Sequence, residues 1–378
     1  MTRLKGITWD HPRGLAPLVA LGPQSGPTND VIIEWAARSL QAFADHPLEQ
    51  LVKEYDVLVI DHPHIPLVSD QGLLVRLDET GHDAELALLA RQSVGRSHAS
   101  YSHGGHQYAL AIDAATQVSA HRPDLIMEPP RSWPAVLELA GEGRVLWPGK
   151  PVDALSSFLT LAAQMGGPVC SDKTGFVGRD VGLAVLDLLH QLVDRIGPSC
   201  LAANPINVAD RLSSTDECYY APLAFGYVNY SRPGFRPHQL AYRDMPVGPR
   251  GVTGSCLGGA GIAVSARSAE KEAAVACAFW LASAKVQRDL YYWAGGQPAN
   301  ALAWEDQSVN KDCLDFFSAT RATIEGASVR PRYPGWMVLQ ERAGELVHAA
   351  LSGDIGEDAC LDGLDAERER LIGDGIGG

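Results

Sequence analysis

The stretch Tyr55-Asp56-Val57-Leu58-Val59-Ile60-Asp61-His62-Pro63-His64 decides how the rest of the chain is read. Its centre is an unbroken apolar run, three of whose four residues are β-branched. A half-buried strand would alternate apolar and polar residues, so a continuous run reads as a strand buried on both faces, as in a parallel sheet. The run stops at Asp61-His62-Pro63-His64. In open α/β sheets ligands bind at the carboxyl ends of strands, so the segment points to an α/β class and to a place for polar recognition.

Outward from this strand the pattern stays α/β. Residues 4–9 read as a first strand, ended by the breaker cluster Asp10-His11-Pro12-Arg13-Gly14, with a Gly/Pro-rich loop over residues 22–29. Thr28, Asn29 or Asp30 then caps an expected helix carrying Val31, Ile32, Trp35, Leu40 and Phe43. Residues 107–113 read as a further strand ending in a carboxylate, and residues 144–148 as a short strand that puts Trp147 at its end. Residues 181–196 carry the apolar spacing of an amphipathic helix, closed by Gly197-Pro198. Residues 221–230 are aromatic-rich and extended, and residues 261–265 form a strand entered through a glycine cluster. Residues 270–293 give one or two helices ending at Gly295-Gly296-Gln297-Pro298, and residues 335–372 are mostly helical. There is no internal repeat and no low-complexity linker.

The 378 residues predict two domains at roughly 150 residues each. With 45 acidic and 31 basic side chains the net charge is −14, which argues against a nucleic-acid surface, since phosphate binding needs clustered Lys and Arg. No apolar run approaches the roughly 18 residues that a membrane span needs, and residues 273–284 read as one buried helix. The seven cysteines are scattered, with no CxxC pair, and read as buried thiols of a reducing compartment. Residues 1–10 show no secretory leader. The expected place of work is the cytoplasm if Met1 is the native start, and the periplasm or cell surface if a leader was removed.

Most catalytic and cofactor signatures are absent from the sequence. Gly149-Lys150 lacks the first glycine of a phosphate loop, and Pro151 follows it. Gly258-Gly259-Ala260-Gly261 precedes a strand rather than following one, so it is no dinucleotide fingerprint, and no cofactor is expected. Ser255-Cys256 has no base beside it in sequence and reads as structural. The close histidine pairs, His62/His64 and His103/His106, lack the helical spacing of a zinc site, so no metal is expected; His103 and His106 read as an exposed turn. What remains is a set of aromatics and carboxamides at loop positions: Trp9, Trp147, Tyr219, Tyr220, Tyr227, Asn229, Tyr230, Trp293 and Gln297. Flat aromatic faces with planar polar side chains suit small polar ligands such as sugars, although each residue alone is more often packing than contact.

Several segments, in order, resemble the family 1 extracellular solute-binding proteins of ABC importers. They are Tyr55–Asp61 running on to Gly72-Leu73-Leu74-Val75-Arg76-Leu77-Asp78; Tyr108-Ala109-Leu110-Ala111-Ile112-Asp113 with Thr116-Gln117-Val118 and Arg122-Pro123-Asp124-Leu125; Gly259-Ala260-Gly261-Ile262-Ala263-Val264-Ser265 with Lys271-Glu272-Ala273-Ala274; Ala278-Phe279-Trp280-Leu281-Ala282-Ser283; and Gly295-Gly296-Gln297-Pro298-Ala299. The resemblance implies a two-lobed type II periplasmic-binding-protein fold with a hinge and an interlobe cleft. It implies one lobe of residues 1–112 plus 259–304 and another of residues 113–258 plus 305–378, with the C-terminal helices near the second. It implies ligand contacts from Trp9, His11, Asp61, His62, Asp113, Gln117, Trp147, Tyr220, Tyr227 and Gln297. The partners it implies are a small polar ligand, sugar-like or carboxylate-bearing, and an importer permease. His11, Arg13 and His62 make the expected cleft cationic. A second reading is a cytoplasmic enzyme on the same fold, with His11, His62, Asp61 and Asp113 as an acid–base set. A ligand-sensing module would need a signalling domain, for which the chain has no room.

Overall fold

The computed structural model describes residues 1–24, 26–27, 30–39, 48–171 and 175–373. The elements used below are, in chain order, strands β1 (Thr2–Trp9), β2 (Val31–Arg38), β3 (Val57–Ile60), β4 (Ala109–His121), β5 (Tyr220–Phe225), β6 (Ala241–Arg243) and β7 (Leu257–Val264). The helices are α1 (Pro12–Leu21), α2 (Pro151–Gln164), α3 (Arg179–Ile196), α4 (Lys271–Ala282), α5 (Trp336–Leu351) and α6 (Glu357–Leu371). They fall into two compact units. The first comprises Met1–Ala115, Tyr227–Asn229 and Gly258–Lys311; the second comprises Thr116–Gly226, Tyr230–Leu257 and Asp312–Gly378.

The first unit is built on a sheet in the order β2-β1-β3-β7, with the first half of β4 beyond β7. β1 runs parallel to β2 and β3, and β3 runs antiparallel to β7. All four side chains of β3 are fully buried. Val57 and Val59 enter one apolar cluster with Leu4, Ile262 and Cys277, whereas Leu58 and Ile60 enter another with Leu51, Ile65 and Tyr101. The period of two therefore feeds two cores, which is why the run shows no polar alternation. Each of these burials is worth about 1.5–3 kcal/mol.

One expectation for this unit needs correction. The helix expected over Val31–Trp35 is strand β2, which makes an eight-residue parallel ladder with β1. Val31, Ile32 and Ile33 are β-branched, and pairing with β1 outweighs the local helical spacing. Of the residues expected to cap and extend that helix, Thr28, Asn29, Leu40 and Phe43 lie outside the described residues. The cluster Asp10–Gly14 ends β1 at Trp9 as expected, and within it Pro12 opens α1 with His11 as its N-cap. Proline at the first helical position costs no hydrogen bond and presets φ, so it starts this helix. Gly14 is needed there, since a Cβ at that position would lie 2.2 Å from the Trp9 ring.

In the second unit β4 pairs antiparallel with both β5 and β6. The expected strand over residues 107–113 is only the start of β4, so Asp113 sits inside a strand rather than at its end. Residues 144–148 form no strand; Val145 makes a single bridge to Tyr220. Gly143 at φ +74° and Pro148 bound too short a segment for a ladder. The extended reading of residues 221–230 holds for β5 and then gives way to a 3-10 turn at Val228–Ser231. α3 matches expectation, burying Val185, Leu186, Leu189, Leu192 and Val193 along one stripe. Residues 153–164 of α2 are all buried, and Phe158 and Leu161 join Trp336, Val347 and Leu361 in one core. All seven cysteines are buried, and none is disulfide-bonded among the described residues. No helix among those residues is long and apolar enough to cross a membrane.

Candidate functional site

In the first unit the polar residues gather where β1, β3 and β4 meet α1. Trp9, the last residue of β1, packs into the core with Leu4 and Leu18. His11 accepts the backbone N–H of Arg13 on Nδ1 at 3.1 Å and sets its ring edge-on to Tyr227, centroids 4.9 Å apart. Arg13 is buried and clamps Asp113 with both arms of its guanidinium: Nε donates to Oδ2 at 2.7 Å, and an Nη donates to Oδ1. The same guanidinium lies 4.5 Å from the centre of the Tyr227 ring. Burial works to lower the Arg13 pKa, but Asp113 outweighs it and holds the guanidinium above its ordinary value. Burial pushes Asp113 up, Arg13 opposes that, and the nearby Asp61 carboxylate adds to the rise. The expected cationic character of Arg13 is therefore cancelled locally by its own carboxylate.

Asp61 follows β3 and accepts the backbone N–H of His62 at 2.8 Å. His62 is fully buried, with its Nδ1 3.2 Å from Asp61 Oδ1 and its ring edge-on to Tyr101. Gln297 is fully buried and joins three segments of this unit. Its Oε1 accepts the Val228 N–H at 2.8 Å, and its Nε2 donates to the Ala114 carbonyl at 2.8 Å. Asn229 donates to the Gly295 carbonyl at 3.0 Å. Gly259, at φ +113°, completes this corner, because a Cβ there would lie 2.3 Å from the Asp113 carbonyl oxygen. The structure thus brings His11, Arg13, Asp113 and Tyr227 into one contact group.

The second unit holds the other candidates. Gln117 is fully buried; its Nε2 donates to Ser157 Oγ at 3.1 Å, and its Oε1 accepts from Thr160 Oγ1 at 2.6 Å. Trp147 is fully buried, and its indole N–H donates to the same Ser157 Oγ at 3.1 Å. One side of Trp147 borders a cavity of about 330 Å³, walled by Val145, Ile196, Cys200 and Val208 and edged by Arg211. Tyr220 is fully buried, donates to the Pro130 carbonyl at 3.1 Å, and is pushed up by burial. Of the remaining aromatics, Trp293 is exposed and Tyr230 is buried with its hydroxyl on Asp210.

Sequence reasoning passed over three features. Ser157 and Thr160 connect Gln117 to Trp147, and the signal was polar residues at helical spacing inside the apolar run 151–164. Asp153 heads the same helix. Asp78, Glu79 and His106 are the one group of metal-ligating types close together among the described residues. Each already has a partner: Asp78 takes His106 Nδ1 and the Gln107 N–H, both at 2.8 Å, and Glu79 takes Arg76 at 3.1 Å. His103 and His106 flank an exposed Gly104-Gly105 tip of a two-stranded hairpin.

A family described as bacterial extracellular solute-binding protein matches residues 49–314. No curated protein sequence matches the chain. Among solved structures, the maltose-bound MalE3 of T. maritima is similar at TM-score 0.83 with 19% identity, over 98% of this chain and 100% of that one. A ribitol complex of an ABC transporter solute-binding protein from Agrobacterium radiobacter K84 reaches 0.83 with 20% identity, over 98% of each chain. A D-mannitol-bound relative from Agrobacterium vitis S4 reaches 0.75 with 17% identity, again over 98% of each.

Proposed function

The chain belongs to the bacterial extracellular solute-binding proteins, and we propose that it captures a small, uncharged, hydroxyl-rich solute and delivers it to an ABC importer permease. The family match over residues 49–314 is the observation that carries this reading. The bound maltose, ribitol and D-mannitol of the similar structures support the class of solute. The self-cancelled charge of Arg13 and Asp113 supports a neutral solute over a carboxylate, because no net charge is left in that cluster to answer an anion. In this reading the two units are the two lobes, and His11, Asp61 and Tyr227 are the contacts that the first unit offers the solute. The place of work is outside the cytoplasmic membrane, as the family description has it; fractionation of cells producing the protein tests this.

The function is tested by titration calorimetry against sugars and alditols, with small-angle scattering and mass spectrometry on the same samples. Saturable binding, a smaller radius of gyration on binding and an unchanged solute mass are expected. A changed mass would replace this reading with the acid–base enzyme built on His11, His62, Asp61 and Asp113.

A further inference from the structure

The first unit holds a second polar cluster, which shares no residue with the Arg13–Asp113 corner. There the turn Leu77–Glu79 meets the hairpin of Ser102–His103 and His106–Gln107. Asp78 Oδ2 lies 2.8 Å from His106 Nδ1, and Glu79 Oε1 lies 3.6 Å from the same nitrogen. One ligand-type atom from each of the three residues is within 4.8 Å of the other two. The second Asp78 oxygen accepts the Gln107 N–H at 2.8 Å, an outer hydrogen bond that holds the carboxylate toward the ring.

Two carboxylates thus converge on one imidazole nitrogen, with the Arg76 guanidinium on Glu79 at 3.1 Å as their fixed countercharge. A ring nitrogen carries at most one hydrogen, so it serves one carboxylate, and Asp78 is the nearer. A divalent cation answers both at once, which a single hydrogen cannot. The hairpin adds a fourth group. His103 pairs directly with His106 across Gly104-Gly105, whose φ values of +57° and +83° suit a two-residue turn. Opposed residues project from one face of a hairpin with Cβ atoms about 5 Å apart. The His103 side chain makes no hydrogen bond or ion pair among the described residues.

We propose that Asp78, Glu79, His103 and His106 bind one divalent transition-metal ion of the zinc class. Zinc holds nitrogen and oxygen ligands at about 2.0–2.2 Å in a tetrahedron, which spaces the ligand atoms about 3.3–3.6 Å apart. The observed 2.8 and 3.6 Å lie around that range, so small side-chain rotations seat the ion. Imidazole donors suit zinc, whereas calcium and magnesium take all-oxygen sets. A cross-strand His pair here takes the place of the i, i+4 pair of helical zinc sites. The ion ties the hairpin to the turn, and so stabilises the folded unit by mass action. None of the four residues is a proposed solute contact, so the site stands or falls apart from that reading.

The test uses the full chain, stripped with EDTA and dialysed, with zinc chloride as the probe in calorimetry and cobalt(II) chloride in visible absorption. One zinc per chain, a raised melting temperature and the visible bands of tetrahedral cobalt are expected. His106→Ala and Asp78→Asn are each expected to weaken zinc binding about tenfold or more, and His103→Ala by a smaller factor. Arg76→Ala is expected to tighten it, because Glu79 loses its competing cation. Circular dichroism without metal is expected to be unchanged in all four, which separates a lost ligand from lost folding. Should Asp78→Asn fail to fold, the opposite effects of His103→Ala and Arg76→Ala still decide. Absence of saturable zinc binding, or the same stoichiometry and affinity in His106→Ala, overturns the site. Unchanged affinity in His103→Ala overturns the four-ligand set. Calcium bound as tightly as zinc overturns the role given to the imidazoles.

Discussion

In the first unit Arg13 and Asp113 answer each other as full charges, whereas in the second Gln117, Ser157 and Thr160 exchange neutral hydrogen bonds, and Gln164 on the same helix bonds Trp133, Pro246 and Gly251. Both clusters are buried, and the energies they put at risk differ in kind. A charged pair gains little over an apolar replacement, but losing one member strands the other in a low-dielectric interior. A neutral network loses less per deletion and spreads the loss over several partners. The charged cluster is closed on itself, while the neutral one spreads over Gln117, Ser157, Thr160 and Trp147. The first holds a corner of its unit, and the second ties α2 to β4.

The largest effect expected from this contrast is at Arg13. Arg13→Ala leaves the Asp113 carboxyl buried without its cation, and urea denaturation is expected to show a loss of about 3–5 kcal/mol. Replacing both partners, Arg13→Met with Asp113→Leu, is expected to recover most of it. A single-variant loss below about 1 kcal/mol would mean that the pair is not what holds this corner. Thr160→Val is expected to cost less, about 1–3 kcal/mol, because it orphans Gln117 Oε1 and the Cys256 N–H without stranding a charge. In a double-mutant cycle with Gln117→Leu the two losses are expected not to add, which checks that they share one network.

The sequence shows these two clusters to different degrees. The β3 run, the α3 stripe and the buried cysteines follow from local apolar pattern alone, and the structure agrees with them. β2 is ambiguous in sequence because Val31–Trp35 fits both a helical and a strand period, and only the ladder with β1 decides between them. Asp113 was legible as a polar residue near a strand's end. Its partner was not, since Arg13 lies 100 residues away in sequence and the local cluster around it reads as a breaker. The side chains of Trp147, Gln117 and Gln297 suit ligand contact. The structure shows each engaged in hydrogen bonds within its own unit, a satisfaction that no single-residue reading can reveal.

The hairpin pair of His106 and Asp78 sharpens the comparison, because it repeats the nitrogen–carboxylate pairing of Arg13 and Asp113 without the burial. The two side chains are 30% and 27% exposed, and their contact is 2.8 Å. If chemistry alone set the energy, breaking this pair would cost as much as breaking the buried one. If burial sets it, solvent screening should reduce it to about 0–1 kcal/mol, and added salt should shrink it further. Burial works to raise the Asp78 pKa, but the Gln107 N–H and His106 outweigh it and hold the carboxyl below its ordinary 3.8. An acid whose folded value is depressed contributes stability above its unfolded value and loses it as pH falls through the folded one. The small contribution of Asp78 should therefore be intact at pH 6 and vanish only below about pH 4, reading the onset from that ordinary value. His106→Ala, measured by urea denaturation at pH 6 in low and high salt, is expected to cost under about 1 kcal/mol and less in high salt. A loss comparable to that of Arg13→Ala would show that the pairing chemistry, and not the burial around Arg13, sets the size of both effects.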